Sequence, residues 1–489
     1  MTTIEKQNDL QTRKDALVHN GRKNSAGKLL ARERIAKVFD EGSFVEIAAM
    51  LGTDGEGVVT GHGTIDGRLA YAYAQDFTVM SGAVGKLHAE KICNIMDMAL
   101  KTGAPIIAIL DSNGARISDG IEVISGYAKI YKMASLCSGV IPQISIIAGP
   151  CAGGASFAPA LSDFVFYVKG QGKLFLHSPE MIESASGDKE SVCPCENGTT
   201  HFEFESEDEC FTAVKKVFSY LPSNNLCESE NVVTDDINRV SAELNSIVPD
   251  NSDAPYDVKT VIEQIVDTAS FIEVQKNYAK NIVIGLGRLN GNTVGIIANQ
   301  PAEKDGKLNI NACDKATRFI NMCDAFNIPV VTLTDVPGFT ICKCQEKLGV
   351  SNHAAALIYA YANATVPKVN VILRKAYGSA YAVMCSKEAG ADIVYAWPTA
   401  EIAVMGIEGA SEIMYNDEIA ASSDPIKVRE EMVNKYKEEY ASPYIAAKCG
   451  SIDDVIEPDA TRPMIISALE ALATKRVTLP AKKHGNMPL

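Results

Sequence analysis

The sequence predicts an α/β protein in which one fold occurs twice in tandem, as the product of an internal duplication. The segment GHGTIDG at residues 61–67 recurs as GLGRLNG at residues 285–291, 224 positions later. An apolar strand follows each copy, and a helical stretch follows each strand. Segments that recur in one order at a constant offset indicate a repeated structural unit.

The repeated elements run in the order strand, helix, strand and glycine turn. The first strands are LAYAYAQ and TVGIIANQ. The helices AEKICNIMDMALKTG and CDKATRFINMCDAFN carry apolar residues at spacings of three and four, which predicts one buried stripe on each. The strands Pro105–Asp111 and Pro329–Asp335 are continuously apolar, as expected when both faces of a strand are covered. The last matched units, at residues 142–161 and 367–384, each contain a strand followed by a glycine turn.

A length of 489 residues favours two domains over one core. We place them at residues 1–245 and 246–489. The stretch NSIVPDNSDAPYDVK at the join is rich in Pro, Asn, Asp and Ser, as linkers often are.

A net charge of −15 argues against a nucleic-acid or membrane-surface partner, since both require a basic face. The N-terminus lacks the basic and apolar regions of a secretory signal. No apolar run approaches the roughly 20 residues of a membrane helix. We therefore expect a cytoplasmic protein without membrane insertion.

Most of the thirteen cysteines lie inside apolar segments and are expected to be reduced and buried. Two C-x-C pairs stand apart, Cys193/Cys195 and Cys342/Cys344. Their thiolates could bind zinc, but structural zinc sites usually have two to four residues between paired cysteines, so free thiols are favoured. The polar, acidic segment 190–209 around the first pair is predicted to be a surface loop.

Each glycine turn could bind an oxygen atom that gains negative charge. Strands that run into Gly153-Gly154 and into Gly378-Ser379 expose backbone N–H groups at the start of a helix, and such groups stabilise oxyanions. A strand-to-helix connection that needs glycine only for its dihedral angles is the alternative. Two matched turns favour two oxyanion holes. No H-E-x-x-H, G-x-S-x-G or Walker motif is present, which favours catalysis by the backbone.

Long strings of the chain resemble the carboxyltransferase subunits of propionyl-CoA and related acyl-CoA carboxylases, methylmalonyl-CoA decarboxylase and transcarboxylase. These strings are AGKLLARERIAKVFDEGSFVE, QDFTVMSGAVGKLHAEKI, DSNGARISDGI, GPCAGGASFAPALSD, DKATRFINMCDAFNIPVVTLTDVPGF, ATVPKVNVILRKAYGSAY, AWPTAEIAVMG and HGNMPL. The resemblance implies two crotonase-like (ClpP/crotonase) β-β-α spiral domains. It also implies a homohexamer whose active site lies between the N-half of one subunit and the C-half of another.

The resemblance assigns a role to each turn. Gly154 and Ala155, with Gly153 beside them, would hold the thioester oxygen of an acyl-CoA in the first half. Ser379 and Ala380, with the preceding glycine beside them, would hold the ureido oxygen of biotin in the second half. A carboxyl group would then move between biotin and the α-carbon of the acyl-CoA.

Several residues are expected to bind the two ligands. Lys28 and Arg32, on an early basic helix with Arg34, could meet the phosphates of CoA, as could Arg374 and Lys375; solvated charges are the alternative in each case. Tyr377 and Ala382 flank the second turn and are expected to contact ligand there. In related proteins the position of Ala382 helps to set acyl-chain preference, and the small residue suggests room.

The biotin is expected to come from a partner, because no A-M-K-M attachment sequence and no ATP-grasp half is present. The implied partners are a biotin carrier and either a biotin carboxylase subunit or a membrane decarboxylase subunit. The chain departs from the usual family pattern at Asn113 and Ser379, which replace glycines, and in the loop after Phe339.

Two other functions remain open. One is a biotin-independent crotonase-type acyl-CoA enzyme, which would need a side-chain acid or base at the thioester. The other is a non-catalytic scaffold subunit, which the replaced glycines motivate.

Overall fold

The computed structural model describes residues 1–19, 28–52, 54–187 and 193–488. The chain forms two compact units, Met1–Glu228 and Ser229–Leu489. The strands of the first unit are β1 (Val45–Ile47), β2 (Val58–Ile65), β3 (Arg68–Gln75), β4 (Ile106–Ser112), β5 (Gln143–Ala152), β6 (Phe164–Val168), β7 (Lys173–Phe175) and β8 (Phe202–Phe204). Its α-helices are α1 (Thr3–His19), α2 (Ala31–Val38), α3 (Lys86–Thr102), α4 (Ile121–Cys137), α5 (Phe157–Ala160), α6 (Pro179–Ser186) and α7 (Glu207–Phe218).

The second unit repeats this order and adds helices near its end. Its strands are β9 (Ile272–Val274), β10 (Ile282–Leu289), β11 (Asn292–Asn299), β12 (Val330–Val336), β13 (Lys368–Tyr377), β14 (Ile393–Ala396), β15 (Glu401–Ala403) and β16 (Asp454–Val455). Its α-helices are α8 (Leu244–Ile247), α9 (Val258–Ile265), α10 (Ile310–Ala325), α11 (Lys343–Lys347), α12 (Val350–Asn363), α13 (Gly378–Val383), α14 (Ile407–Met414), α15 (Asn416–Ala421), α16 (Pro425–Tyr436), α17 (Pro443–Cys449) and α18 (Thr461–Ala471).

The two sheets have the same topology. The first has the order β1-β2-β3-β4-β5-β6-β8, with β7 also paired to β5; the second has the order β9-β10-β11-β12-β13-β14-β16, with β15 also paired to β13. In each sheet the first three strands are antiparallel and the rest are parallel. The duplication predicted from the sequence is confirmed down to strand order.

Even an irregularity of the sheet is duplicated. The pairing of β4 with β5 shifts register between Leu110 and Ser112, and the pairing of β12 with β13 shifts between Thr334 and Val336. Bulges of this kind bend a strand and redirect the residues that come after the bend. In both sheets the shift lies opposite the last residues of the strand, β5 or β13, that runs into a glycine turn.

The helices α3 and α10 confirm the predicted buried stripes. Ile92, Ile95, Met96 and Ala99 of α3 are buried against the first sheet. The helix ends at Gly103, whose φ of +63° is the left-handed conformation that glycine adopts readily. Burial of this stripe fixes α3 beside the strands that lead to the first turn.

Each of these helices also carries a buried lysine at the matched position. The Lys91 ammonium donates to the carbonyl oxygens of Gly55 (3.2 Å) and Val58 (2.5 Å). The Lys315 ammonium donates to four carbonyl oxygens, including that of Ile282 at 2.8 Å. Burial lowers the pKa of Lys91 to about 8 and that of Lys315 to about 7. The lysines tie the loop before the second strand of each unit to the helix.

The core of the second unit contains the single tryptophan of the sequence. Trp397 is 1% exposed and lies among apolar side chains of the second sheet and of α9 and α18. Its indole N–H donates to the Thr461 hydroxyl at 2.9 Å, which satisfies the one polar atom of the ring.

Residues 229–245 belong structurally to the second unit. The Asn231 amide donates to the Asn290 carbonyl at 3.0 Å, and the Arg239 guanidinium donates to the carbonyls of Gln264 and Val266. The boundary of the duplicated halves at residues 245 and 246 remains a prediction. Within the described part of the chain, no helix combines the length and apolar content needed to cross a membrane.

Candidate active site

The first glycine turn lies at the end of β5. Ala152 is extended (φ −112°, ψ 153°), and a short 3-10 helix then runs from Gly153 to Ser156. Gly153 has a φ of +63°, which other residues adopt only at a cost. Gly154 and Ala155 are half-buried. The turn thus presents backbone N–H groups at a helix start to the surroundings.

Aromatic side chains of α4 limit the space beside this turn. The Tyr131 hydroxyl donates to the Gly154 carbonyl oxygen at 2.6 Å. A Cβ atom on Gly154 would lie 2.8 Å from that hydroxyl, so a side chain there requires Tyr131 to move. The Tyr131 ring stacks with Tyr127 and contacts Phe157. The sequence offered no signal for Tyr131, because it is far from the turn along the chain.

The second glycine turn has the same backbone conformation. Tyr377 is extended (φ −111°, ψ 130°), Gly378 has a φ of +57°, and α13 begins there. Ser379 is exposed, whereas Ala380 is 1% exposed. The predicted match of the two turns is confirmed in geometry, and the first glycine of each turn has a positive φ.

The second turn has a tighter surrounding than the first. A Cβ atom on Gly378 would lie 2.9 Å from the Val404 carbonyl oxygen, whereas one on Gly153 would meet nothing within 4 Å. Val404 follows β15, which pairs with the end of β13. The backbone after β15 therefore lies close against the second turn.

Tyr377 points into the protein. It is 7% exposed, and its hydroxyl donates in a short hydrogen bond to the Glu401 carboxylate. The Lys437 ammonium pairs with the other Glu401 oxygen at 2.9 Å. Burial and the adjacent Glu401 carboxylate raise the pKa of Tyr377 well above its usual value. The side chain of Tyr377 therefore anchors the turn from inside the unit, and sequence reasoning missed the Glu401–Lys437 pair.

Ala382 lies on α13, four residues after the glycine. It is half-buried, and its carbonyl oxygen accepts a hydrogen bond from the Ser386 hydroxyl at 3.1 Å. Its small side chain leaves space on the helix that begins at the turn.

A buried aspartate stands behind each turn. In the first unit, Asp111 accepts from the Arg34 guanidinium at 2.8 Å and from the Lys28 ammonium at 3.2 Å. In the second unit, Asp335 accepts from the Arg374 guanidinium at 3.0 Å and from the Tyr256 hydroxyl at 2.9 Å. Both aspartates are at most 1% exposed. Arg34 also donates to the Ala148 carbonyl of β5 at 3.1 Å, and Arg374 belongs to β13, so each pair links the strand of the aspartate to the strand that carries the turn.

The predicted phosphate-binding residues are engaged within the protein. Arg34 is 1% exposed and also pairs with Glu207 at 2.6 Å, so it is a structural residue rather than a surface cation. Arg32 makes a two-bond pair with the Glu46 carboxylate, at 2.9 and 3.0 Å. Lys28 precedes α2, so its predicted placement on the helix is wrong; residues 20–27 lie outside the described residues.

A pocket of 350 Å³ opens in the second unit beside Tyr377. Its lining includes Lys307, Arg374, Lys375 and Glu408. Each cation already has an acidic partner: Lys307 pairs with Asp305, Lys375 with Asp253 and Arg374 with Asp335. The pocket is polar but has no unpaired cation among these three, which suits a neutral polar group better than a polyanion.

The prediction of free thiols in the two C-x-C pairs is wrong. Cys193 is joined to Cys195, and Cys342 to Cys344. In each pair the Cα atoms are 5.3 Å apart, which is within the usual range for a disulfide. One intervening residue is enough for this approach when the chain turns between the cysteines.

Comparison with known proteins places the whole chain. The carboxyl transferase domain matches residues 22–487. The alpha subunit of methylmalonyl-CoA decarboxylase from Veillonella parvula is 47% identical, with 100% of both chains covered. The propionyl-CoA carboxylase beta chain of Saccharopolyspora erythraea is 44% identical, covering 100% of this chain and 96% of that one.

A solved structure agrees over the same length. The hexameric transcarboxylase 12S with methylmalonyl-coenzyme A and methylmalonic acid bound superposes with a TM-score of 0.96 at 44% identity. It covers 100% of this chain and 99% of that chain. The likeness confirms the predicted fold of two crotonase-like domains.

Proposed function

The chain belongs to the carboxyl transferase family and is a carboxyltransferase of acyl-CoA substrates, and we propose that it exchanges a carboxyl group with biotin held on a separate carrier. The observation that carries the proposal is the duplicated turn. Two strands end in the same backbone conformation, at Gly153 and Gly378, and a helix begins at each glycine, where the first N–H groups have no partner within the helix. Two carbonyl groups must be polarised in this reaction, and the chain offers one turn for each.

The chemistry assigned to the turns is complementary. The N–H groups of Gly154 and Ala155 would stabilise negative charge on the thioester oxygen, which favours loss of the α-proton. Those of Ser379 and Ala380 would stabilise charge on the ureido oxygen, which makes the biotin nitrogen a better leaving group. The N–C bond of carboxybiotin breaks as the new C–C bond forms, and biotin accepts the α-proton. In the decarboxylation direction this step runs in reverse, moving the carboxyl group from the acyl-CoA to biotin, and carboxybiotin then releases CO2.

The polar pocket of the second unit supports placing biotin there. The polar pocket beside Tyr377 has its cations paired, and the ureido ring carries no net charge. For the phosphates of CoA we propose Lys28 and Arg32 of the first unit, which would exchange their present carboxylate partners, Asp111 and Glu46, for phosphate.

We further propose a cytoplasmic homohexamer in which the two turns that act together come from different subunits. The related transcarboxylase 12S is a hexamer. The carrier and either a biotin carboxylase subunit or a membrane decarboxylase subunit complete the system. The partner present determines the net direction, because one transfer step serves carboxylation and decarboxylation alike.

The test is carboxyl transfer with the purified chain and no other subunit. Methylmalonyl-CoA, malonyl-CoA and glutaconyl-CoA are each incubated with and without biocytin, and loss of the carboxyl group is measured. We expect loss from at least one thioester, and only with biocytin. Loss without biocytin would favour a biotin-independent enzyme, and no loss across the panel would contradict the proposal.

A matched pair of variants tests the turn itself. Gly154→Val places a side chain against the Tyr131 hydroxyl and should abolish turnover, whereas Gly170→Ala, in open space at a φ of +73°, should keep it. Calorimetry should also show that acyl-CoA binds to the wild-type chain. Binding without any turnover in the wild type would instead support a scaffold subunit.

A further inference from the structure

The segment before β8, which the sequence predicts to be part of a surface loop, is folded onto the edge of the first sheet. The Thr200 amide donates to the Pro194 carbonyl at 3.1 Å, and the His201 amide donates to the Val165 carbonyl of β6 at 2.8 Å. Cys195 is 8% exposed and Thr200 is 1% exposed. These contacts close a compact loop at the edge of the sheet.

This loop brings three metal-binding atoms together. The sulfur atoms of Cys193 and Cys195 and a carboxylate oxygen of Glu203 all lie within 4.8 Å of one another. Glu203 belongs to β8, its side chain is 12% exposed, and it pairs with the Lys169 ammonium at 3.4 Å. Thiolates and carboxylates are zinc ligands; the two sulfurs are bonded to each other in the structure, so an ion could bind all three donors only after the disulfide is reduced.

A second feature of the same loop points to a missing partner. The Oγ1 atom of Thr200 is fully buried and finds no hydrogen-bond partner within the described ranges. Buried hydroxyl groups nearly always have one. The backbone N–H of the same residue is bonded to Pro194, which lies between the two cysteines, so the unpartnered hydroxyl belongs to the loop that carries them.

The other C-x-C pair shows that spacing alone does not make this arrangement. Cys342 and Cys344 are joined in the same way, yet the part of the chain that the structure describes holds one such cluster of three donors, and this pair is not in it. The second pair is therefore a matched control built into the chain.

We propose that Cys193, Cys195 and Glu203 form a zinc site when the two cysteines are reduced. A cellular thiol supplies two electrons and two protons to open the disulfide, and binding of Zn²⁺ then releases both thiol protons to solvent. Two thiolates and one carboxylate complete three positions of a tetrahedron, and water takes the fourth. The ion ties the loop to β8, the last strand of its sheet, and the assignment does not depend on the reaction at the turns.

The experiment uses the untagged full chain, reduced with a phosphine, equilibrated with Zn²⁺ and then passed into metal-free buffer. Zinc is measured by mass spectrometry, and a parallel sample with Co²⁺ is examined for thiolate-to-cobalt charge-transfer absorption. We expect about one ion per wild-type chain and a tetrahedral thiolate spectrum. The double variant Cys342→Ser/Cys344→Ser should bind the same amount.

Two variants remove the proposed ligands. Cys195→Ser should lose the charge-transfer band and the ion, and Glu203→Gln should weaken zinc binding by about tenfold or more while the thiols remain. If Cys195→Ser fails to fold, Glu203→Gln and the wild-type cobalt spectrum still decide. Three results would each overturn the site. They are little zinc in the reduced wild type, a loss of zinc in the Cys342/Cys344 variant equal to that in Cys195→Ser, and a disulfide between Cys193 and Cys195 that persists under reductant.

Discussion

Replacement of Gly378 by alanine tests whether the second turn works as an oxyanion hole. The residue has a φ of +57°, and alanine in this conformation costs about 1–2 kcal/mol of folding stability. The new Cβ atom would lie 2.9 Å from the Val404 carbonyl oxygen, while ordinary contacts begin at 3.4 Å. Either the turn or the segment after β15 must therefore move by about 0.5 Å.

A movement of this size is large on the scale of catalytic positioning. Misplacement of reacting groups by 1 Å can cost about a hundredfold in rate. We therefore expect Gly378→Ala to lower kcat between roughly tenfold and a hundredfold, which is about 1.4–2.7 kcal/mol in the barrier. The melting temperature should fall as well, because the strain is present in the free protein.

The assay is carboxyl loss from the best thioester of the panel with biocytin, measured beside two controls. Gly153→Ala introduces alanine at a similar positive φ in the first turn, but with open space around its Cβ. It should therefore lower stability while reducing activity much less than Gly378→Ala does. Gly450→Ala, at a φ of +79° after α17, reports the backbone strain alone and should keep full turnover.

The outcomes separate cleanly. Equal losses of activity in Gly153→Ala and Gly378→Ala would refute the steric reasoning about Val404. Full activity in Gly378→Ala, at a stability matching that of Gly450→Ala, would refute the catalytic role of the turn.

Three further predictions concern stability, pH and the replaced glycine. Arg34→Met leaves Asp111 without its guanidinium partner and should lower the free energy of unfolding in urea by about 3–5 kcal/mol. Lys37→Ala removes an exposed pair and should lower it by no more than about 1 kcal/mol. Similar losses in the two variants would contradict a larger contribution from the buried pair. Burial lowers the pKa of Lys315 from 10.5 to about 7. Between these pH values unfolding takes up a proton, so the free energy of unfolding rises with pH, by at most about 1.4 kcal/mol per pH unit. Lys315→Met should lack this rise, and the same pH dependence between pH 7 and 9 in variant and wild type would disprove the prediction. Ser379→Gly keeps the backbone N–H and should change kcat by less than about tenfold; a larger loss would assign a role to the hydroxyl.

The repeated elements were predictable because they depend on local patterns. Continuous apolar runs predicted β4 and β12, and helical spacing predicted α3 and α10, since both patterns record burial along a single element. The turns at Gly153 and Gly378 followed from the offset between the halves, and their positive φ angles agree with the choice of glycine.

Contacts between distant segments could not be predicted in this way. Arg34 sits on a basic helix in the sequence, yet its partners Asp111 and Glu207 lie 77 and 173 residues away. The Tyr377 hydroxyl likewise bonds to Glu401, which is distant along the chain. Charge and spacing describe a residue's neighbours along the chain, whereas burial and pairing are decided by the packing of whole elements.

The position of Trp397 makes its fluorescence a probe of one half of the protein. Because the only indole of the chain is enclosed in the second unit, its emission reports the melting of that half and is silent about the other. The tyrosines are spread over both halves, and circular dichroism sees both. If the halves denature one after the other, the fluorescence transition will separate from the dichroism transition without any label being introduced.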